Sequence, residues 1–259
     1  MIPSGATAVM STRKSPKRKK SSPQTKPLPA PVDKDPRDGL EFFPTPPWAT
    51  RALTKYVLPL VTTGLDQLTY WEPCCGEGHQ AEVLNESFGR GYASDVYPHG
   101  YGAVGSFVGI GGLDLDIAHC PFRPDWVINN PPFGLAVDVV ERALQEAIEG
   151  VAMLVRTLWI ESDERYQLFS RYEPTLQATY AERVPMVQYR WDPEASTATS
   201  YSWVIWKKPF GGCGPGGMPS WRTVIIPPVC RKELSRPDDV ARFTSRQSVP
   251  LLAYAGAAA

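Results

Sequence analysis

The sequence predicts an α/β fold with a largely parallel β-sheet and helices on both faces. Short apolar runs such as Trp126–Ile128, between Asp125 and Pro131, suit strands that are covered on both sides. They alternate with longer stretches in which apolar residues recur every three or four positions, as in amphipathic helices. Gly134–Glu149 is the clearest of these stretches. Strands that alternate with helices are typical of parallel α/β sheets.

The predicted elements follow this alternation along the chain. Thr45 is placed to cap the first helix, which has Pro46 and Pro47 in its first turn and ends near Leu60. The later elements are a strand at Gln67–Trp71, a helix at Gln80–Phe88, strands at Gly91–Asp95, Leu113–Asp116 and Trp126–Ile128, a helix at Gly134–Glu149, a strand at Val151–Val155, a helix at Glu161–Tyr172, and a terminal antiparallel pair formed by Pro185–Tyr189 and Tyr201–Trp206.

Size and composition limit the possible classes of protein. A chain of 259 residues with 42% hydrophobic residues can bury a proper core, and no apolar stretch is long enough to span a bilayer. The five cysteines form no C-x-x-C pair, which argues against a disulfide framework and a zinc ribbon and predicts a reducing, cytoplasmic setting. The three histidines have no metal-ligand spacing, so no metal site is predicted.

The charge distribution divides the chain into three parts. Residues 1–38 contain nine Lys and Arg but three Asp, a net charge of +6, and are rich in Ser and Pro. We predict a disordered tail there, followed by a domain at 39–208 and a loop-rich, partly disordered extension at 209–259. The basic block Arg13–Lys20 is open to two interpretations, a phosphate-binding arm or a solubilising tail.

The most informative motif is Asn130-Pro131-Pro132-Phe133, directly after the apolar run. Two prolines remove two backbone N–H donors and stop the strand, leaving an amide side chain, unpaired carbonyls and a ring at its carboxyl end. In open α/β sheets, ligands bind at that edge. An amide oxygen and a neighbouring carbonyl can both accept hydrogen bonds from one amino group, and the ring can stack on a flat heterocycle. Taken alone, the tetrapeptide fits an ordinary turn with a core Phe equally well.

A second motif suits a nucleoside-like ligand. The strand that ends at Glu72-Pro73 leads into a turn with Gly76 and Gly78 and then into a helix, the layout of a nucleotide-binding crossover. The turn lacks the Lys-Ser/Thr of a phosphate loop. Asp95 ends the next strand, about 20 residues past the glycines, where an acid holds a ribose diol in such folds.

Together, these stretches resemble the S-adenosylmethionine-dependent amino-methyltransferases of DNA, in particular the small adenine-N6 enzymes of phages and prophages. The resemblance covers roughly residues 41–208. It implies a Rossmann-like, seven-stranded class I methyltransferase sheet with a terminal antiparallel hairpin. Its cofactor motifs match Phe43, Thr45 and Pro46, then Glu72, Pro73, Gly76 and Gly78, then Asp95, and finally Asp114, which is favoured over Asp116 for the cofactor adenine.

The resemblance also implies a mechanism. Asn130–Phe133 matches the whole catalytic motif, so Asn130, Pro131, Pro132 and Phe133 are the expected catalytic residues and S-adenosyl-L-methionine the expected cofactor. The target base would be flipped out of the DNA and stacked on Phe133. Asn130 and the Pro131 carbonyl would accept hydrogen bonds from its exocyclic amine. Asn at the first motif position favours adenine, since cytosine-N4 enzymes more often have Ser there. The expected setting is a bacterial cytoplasm, with the gene in the host or a phage.

Three alternatives stay open at this point. The same motif occurs in enzymes that methylate RNA bases and in others that methylate protein glutamine. A phage DNA-binding protein that kept the fold without activity is the third. The chain departs from the family in having no separate target-recognition domain, with only the loop Trp191–Ser200 and the tails available for that task, and in its mildly acidic body.

Overall fold

The computed structural model describes residues 41–109, 116–210 and 215–244. An eight-stranded mixed sheet forms the centre of this part of the chain. Its strands are β1 (Thr69–Glu72), β2 (Arg90–Asp95), β3 (Ala103–Val104), β4 (Trp126–Asn129), β5 (Gly150–Arg156), β6 (Leu176–Tyr180), β7 (Tyr201–Lys207) and β8 (Arg222–Ile226). They lie in the order β3-β2-β1-β4-β5-β7-β6-β8, and only β7 is antiparallel to its neighbours.

Helices cover both faces of the sheet, as predicted. The regular helices of the described residues are α1 (Pro47–Ala52), α2 (His79–Leu84), α3 (Ala136–Glu146), α4 (Asp163–Arg171), α5 (Cys230–Leu234) and α6 (Asp239–Phe243). Alternate residues of the strands point into two separate cores. One core packs Trp126 and Ile128 against α1 and α2, and the other packs Val127 against α3 and α4. This arrangement fits a class I Rossmann-like fold.

The helix predicted to run to Leu60 has the expected extent, but Thr45 does not cap it. After α1 the backbone widens at Leu53–Val57 and tightens again at Leu58–Leu60. The N-cap residue is Pro46, which has no side chain able to cap, while the Thr45 hydroxyl accepts a hydrogen bond from Asn130. The prediction that Thr45 caps the helix was therefore wrong, because its hydroxyl accepts a hydrogen bond from Asn130, a residue far along the chain.

The prediction of seven strands was also wrong, since the sheet has eight. β7 lies where a terminal strand was predicted, but its outer antiparallel partner is β6 and not Pro185–Tyr189, which contains no regular strand. β6 has four buried residues out of five, so it lacks the alternation of buried and exposed residues that marks a half-buried strand. Pro185 cannot donate to a sheet.

Residues 209–259, which were predicted to be loop-rich, supply the eighth strand. β8 pairs in parallel with β6 along the whole of its length. α5 and α6 follow it and lie against α1 and α2, where the buried guanidinium of Arg51 donates to both carboxylate oxygens of Asp239 at 2.7 Å. This segment therefore completes one edge of the sheet and the helix layer above it.

Two further predictions concern the segment after β2. The strand predicted at Leu113–Asp116 falls mostly outside the described residues, and so does Asp114. β3 instead lies earlier in the chain, within the glycine-rich stretch between Gly100 and Gly109. The tail at 1–38 also lies outside the described residues. No helix in the described part of the chain is long and apolar enough to cross a membrane.

Candidate active site

A cleft at the carboxyl edge of β1, β2 and β4 brings the predicted motifs together. Of the predicted site residues, its lining includes Phe43, Thr45, Glu72, Pro73, Asp95, Asn130 and Pro132. Five others adjoin these residues along the chain but do not line the cleft, namely Pro46, Gly76, Gly78, Pro131 and Phe133. The neighbourhood follows from the fold, because parallel strands end at the same edge of a sheet.

The side chain of Asn130 is held by its nitrogen. Nδ2 donates to the carbonyl oxygen of Phe43 at 2.9 Å and to Oγ1 of Thr45 at 3.2 Å. A carbonyl can only accept, so it determines which end of the amide faces it. Oδ1 therefore points away from these partners, and within the described residues no donor is bonded to it.

The prolines after Asn130 leave a second acceptor beside it. Pro131 is buried, and no donor in residues 41–109, 116–210 or 215–244 is bonded to its carbonyl. The next carbonyl, that of Pro132, accepts from the N–H of Leu135 at 3.1 Å and closes a tight turn. Two adjacent oxygen acceptors thus follow the end of β4.

Phe133 begins that turn and stands between two other groups. Its ring centroid is 5.5 Å from that of Phe43, with the rings tilted by 40°. The guanidinium carbon of Arg156, the last residue of β5, lies 4.1 Å from the centroid of the Phe133 ring. The ring is half-buried and belongs to the mouth of the cleft rather than to its wall.

The glycine turn requires glycine at both predicted positions. Gly76 has a φ of +52° and Gly78 a φ of +83°, both in the left-handed region. A Cβ on Gly76 would overlap the Phe42 ring, and a Cβ on Gly78 would overlap the Tyr101 ring. At each glycine an aromatic ring therefore packs directly against the backbone of the turn, and a side chain there would displace that ring.

Asp95 is bound to the same turn. One carboxylate oxygen accepts from the N–H of Gly76 at 2.8 Å and the other from the N–H of Tyr97 at 3.0 Å. Burial raises the pKa of this carboxyl from 3.8 to about 6, although these two hydrogen bonds oppose the rise. Nε2 of His99 lies 3.8 Å from the carboxylate. Each carboxylate oxygen keeps a lone pair for a donor from the cleft.

Two further acceptors are buried in the lining of the cleft. Oε2 of Glu72 and Oε1 of Gln80 have no hydrogen-bond partner within the described residues. Burial and the nearby charge of Asp95 raise the pKa of Glu72 well above its ordinary value. Burial likewise raises the pKa of Cys74 and of Cys75.

Sequence reasoning did not assign four residues of this site. Phe42 and His99 line the cleft as a ring pair with centroids 4.5 Å apart, and Gln80 lines it next to them. Met186 comes from the segment after β6 and places its sulfur 3.6 Å from Nδ2 of Asn130. The position of Phe42 beside Phe43 was a usable signal, whereas Met186 had none, since only the fold brings it near.

Comparisons with known proteins name methyltransferases at low similarity. No protein-family model and no curated protein matches the chain. A candidate class I S-adenosylmethionine-dependent methyltransferase structure from Listeria monocytogenes is 11% identical, with a TM-score of 0.44 over 76% of this chain and 68% of that one. The type I restriction-modification methyltransferase subunit of Streptococcus thermophilus is 10% identical, with a TM-score of 0.47 over 65% and 45%.

A candidate RNA methyltransferase from Pyrococcus horikoshii is 16% identical, with a TM-score of 0.47 over 68% of this chain and 90% of that one. The chain spans less than half of the Streptococcus subunit. Likenesses at this level decide neither the fold nor the activity of this chain.

Within the described residues, no group of three or more His, Cys, Asp and Glu is placed to hold a metal ion.

Proposed function

We propose that this chain transfers a methyl group from S-adenosylmethionine to the exocyclic N6 amine of adenine in DNA. The observation that supports it best is the orientation of Asn130. Its nitrogen is engaged by Phe43 and Thr45, which leaves Oδ1 without a donor among the described residues, and the carbonyl of the next residue, Pro131, has no donor there either. Two oxygen acceptors side by side suit an amine with two hydrogens.

These acceptors have the chemistry that an attacking amine needs. As its lone pair forms the new N–C bond, the S–CH3 bond of the sulfonium would break and the neutral thioether would leave. The nitrogen carries positive charge until it loses a proton to solvent, and nearby oxygen dipoles stabilise that charge. The prolines keep the dipoles in place, because Pro131 and Pro132 have fixed φ angles. Positioning and electrostatics are then sufficient, and no side chain has to act as a nucleophile.

The other side of the cleft fits the cofactor. S-adenosylmethionine would supply an electrophilic methyl group on its sulfonium. Asp95 would accept from ribose hydroxyls, since each of its oxygens has one backbone donor and room for another. Glu72 would pair through Oε2 with the ammonium of the methionine part. Such pairing would also offset the cost of burying an acceptor that has no partner in the protein.

Phe133 would receive the base. A base flipped out of the duplex loses its stacking, and an aromatic side chain returns roughly 1–3 kcal/mol of that free energy. The Phe133 ring lies at the cleft mouth, and Phe133 follows Pro131, the second acceptor residue, by two positions. Adenine is proposed over cytosine because the motif begins with Asn and not Ser.

A methyl-transfer assay with labelled cofactor tests this proposal. DNA, RNA and bulk protein are offered in parallel to the purified chain and to the Asn130→Ala variant. We expect label in DNA with the wild type only, recovered as N6-methyladenine after digestion to nucleosides. Label confined to RNA or to protein glutamine would overturn the DNA assignment in favour of those substrates. No label in any substrate, despite cofactor binding, would support a non-catalytic DNA-binding role.

A further inference from the structure

Arg156 lies beside Phe133 at the mouth of the cleft and belongs to none of the predicted motifs. It ends β5, which runs parallel to β4 and extends past Asn129, so it stands on the same edge of the sheet as Asn130. Its side chain is exposed, and its guanidinium covers the Phe133 ring at 4.1 Å. The face of the ring toward Arg156 is thus closed to a base in this arrangement.

The guanidinium is held weakly. No carboxylate of the described residues lies within 4.0 Å of it. Its polar neighbour is Tyr201, the residue opposite it on β7. Burial raises the pKa of the Tyr201 hydroxyl, and Arg156 partly opposes that rise. An exposed cation–π contact is weaker than the stacking of a base on an aromatic ring.

We propose that Arg156 is a phosphate-binding residue that rests on Phe133 in the free protein and moves to the backbone of the extruded nucleotide. The inference rests on the proposed function, since it requires a nucleic acid with a flipped base. A base that stacks on Phe133 displaces the guanidinium. The phosphate beside that base is then the nearest strong acceptor, and the planar fork of Arg binds phosphate with two hydrogen bonds.

This role would help residues 39–259, which are acidic overall, to bind DNA. Residues 39–259 carry 18 basic and 24 acidic residues, so the exposed Arg156 supplies positive charge at the cleft mouth, where the backbone must pass. The move of Arg156 from Phe133 to the phosphate is also coupled to base flipping, because the guanidinium leaves the ring only when a base stacks there.

Three variants test the role of Arg156 in the full-length chain. Arg156→Gln removes the charge, and Arg156→Lys keeps the charge without the planar fork. Arg222→Gln is the matched control. Arg222 is exposed too, but it begins β8, which runs parallel to β5, and therefore lies at the opposite edge of the sheet. Each variant is assayed for KM toward DNA, kcat, cofactor affinity and the salt dependence of DNA binding.

We expect Arg156→Gln to raise KM for DNA roughly tenfold, with a much smaller fall in kcat. The slope of log K against log salt should fall by roughly 0.9, the value for one phosphate contact. Arg156→Lys should keep the slope and show an intermediate KM, and Arg222→Gln should match the wild type in both. A merely structural role would leave the salt slope unaltered.

Three results would overturn the inference, and they lead to two different conclusions. If the wild type methylates DNA and Arg156→Gln has an unaltered KM and salt slope, the phosphate role is wrong and the proposed function stands. The same conclusion follows if Arg222→Gln shows the same changes as Arg156→Gln. If the wild type neither binds nor methylates DNA, both the phosphate role and the DNA substrate are wrong.

Discussion

Nδ2 of Asn130 lies 2.9 Å from the carbonyl oxygen of Phe43, a residue 87 positions earlier in the chain. This contact connects the segment before α1 with the turn after β4 and determines which atom of the amide faces the cleft. The hydroxyl of Thr45 adds a second acceptor at 3.2 Å. The chemistry proposed for the site depends on this orientation, and the first prediction tests it.

Asn130→Ala should lower kcat for methyl transfer by at least about 100-fold, as expected when a preorganised group at a reacting centre is removed. Cofactor affinity should stay within about twofold of the wild type, because the cofactor motifs are left intact. Single-turnover kinetics and calorimetry measure the two quantities. Gln67→Ala is the control, since it truncates an exposed amide before β1, at the opposite edge of the sheet. Near-wild-type turnover by Asn130→Ala would contradict the assigned role.

Gly76→Ala should destabilise the fold and abolish cofactor binding. Two causes of destabilisation are expected, the left-handed backbone and the overlap of the added methyl group with a neighbour. Gly64→Ala separates them, because Gly64 has a similar φ of +67° but no neighbouring atom within 4 Å of an added Cβ. We expect Gly64→Ala to cost about 1–2 kcal/mol of unfolding free energy from the left-handed backbone alone. Gly76→Ala should cost more, since the new methyl group also overlaps the Phe42 ring.

The excess cost at Gly76 should shrink when Phe42 is replaced. We expect the double variant Gly76→Ala, Phe42→Ala to lose less stability than the two single variants together, by a double-mutant cycle in urea. Strict additivity would show that the overlap with Phe42 does not account for the glycine.

Cofactor affinity should depend on pH through Asp95, whose pKa burial raises from 3.8 to about 6. The folded protein holds this proton more tightly than the unfolded chain. The contribution of Asp95 to stability is therefore fully present below about pH 4 and is lost as the pH rises through about 6. Under the proposed function, ribose hydroxyls would donate to the ionised carboxylate, so bound cofactor should favour the ionised form.

Affinity should consequently level off above about pH 6 and fall by up to about tenfold per pH unit below it. Calorimetry across that range measures the profile. Glu72 and His99 also face Asp95, so the comparison with Asp95→Asn isolates the contribution of this carboxyl. A wild-type profile parallel to that of Asp95→Asn would show that Asp95 is not the titrating group.

Asp239→Ala should lower the free energy of unfolding by about 3 kcal/mol, because it leaves the buried guanidinium of Arg51 short of a partner. The neighbouring Asp238→Ala is the control. That carboxylate is 58% exposed and lies 3.6 Å from Arg242, so its loss should cost no more than about 0.5 kcal/mol. Urea denaturation measures both. Equal losses of unfolding free energy in the two variants would show that the ion pair between Arg51 and Asp239 does not stabilise the packing of α6.

Much of the fold was predictable because its signals are local. Apolar runs predicted β1, β2, β4, β5 and β7 close to their observed positions, and the i, i+3, i+4 pattern predicted α3. Parallel strands end at one edge, so the sequence was enough to expect Glu72, Asp95 and Asn130 around one cleft, and the structure has them there.

The remaining features depended on contacts between distant residues. β6 and β8 were not predicted, and each takes its place in the sheet by pairing with a neighbouring strand that is distant in sequence. Thr45 looked like a helix cap until a side chain 85 positions later supplied a donor.

The sequence by itself determined that strands alternate with helices and which residue types follow β1, β2 and β4, since both are short-range patterns. Only the tertiary structure decided the order of the strands in the sheet, that Asn130 is held through its nitrogen by Phe43, and that Arg156 covers Phe133. Those are rotamer and packing choices between separate strands and loops, and local propensity does not encode them.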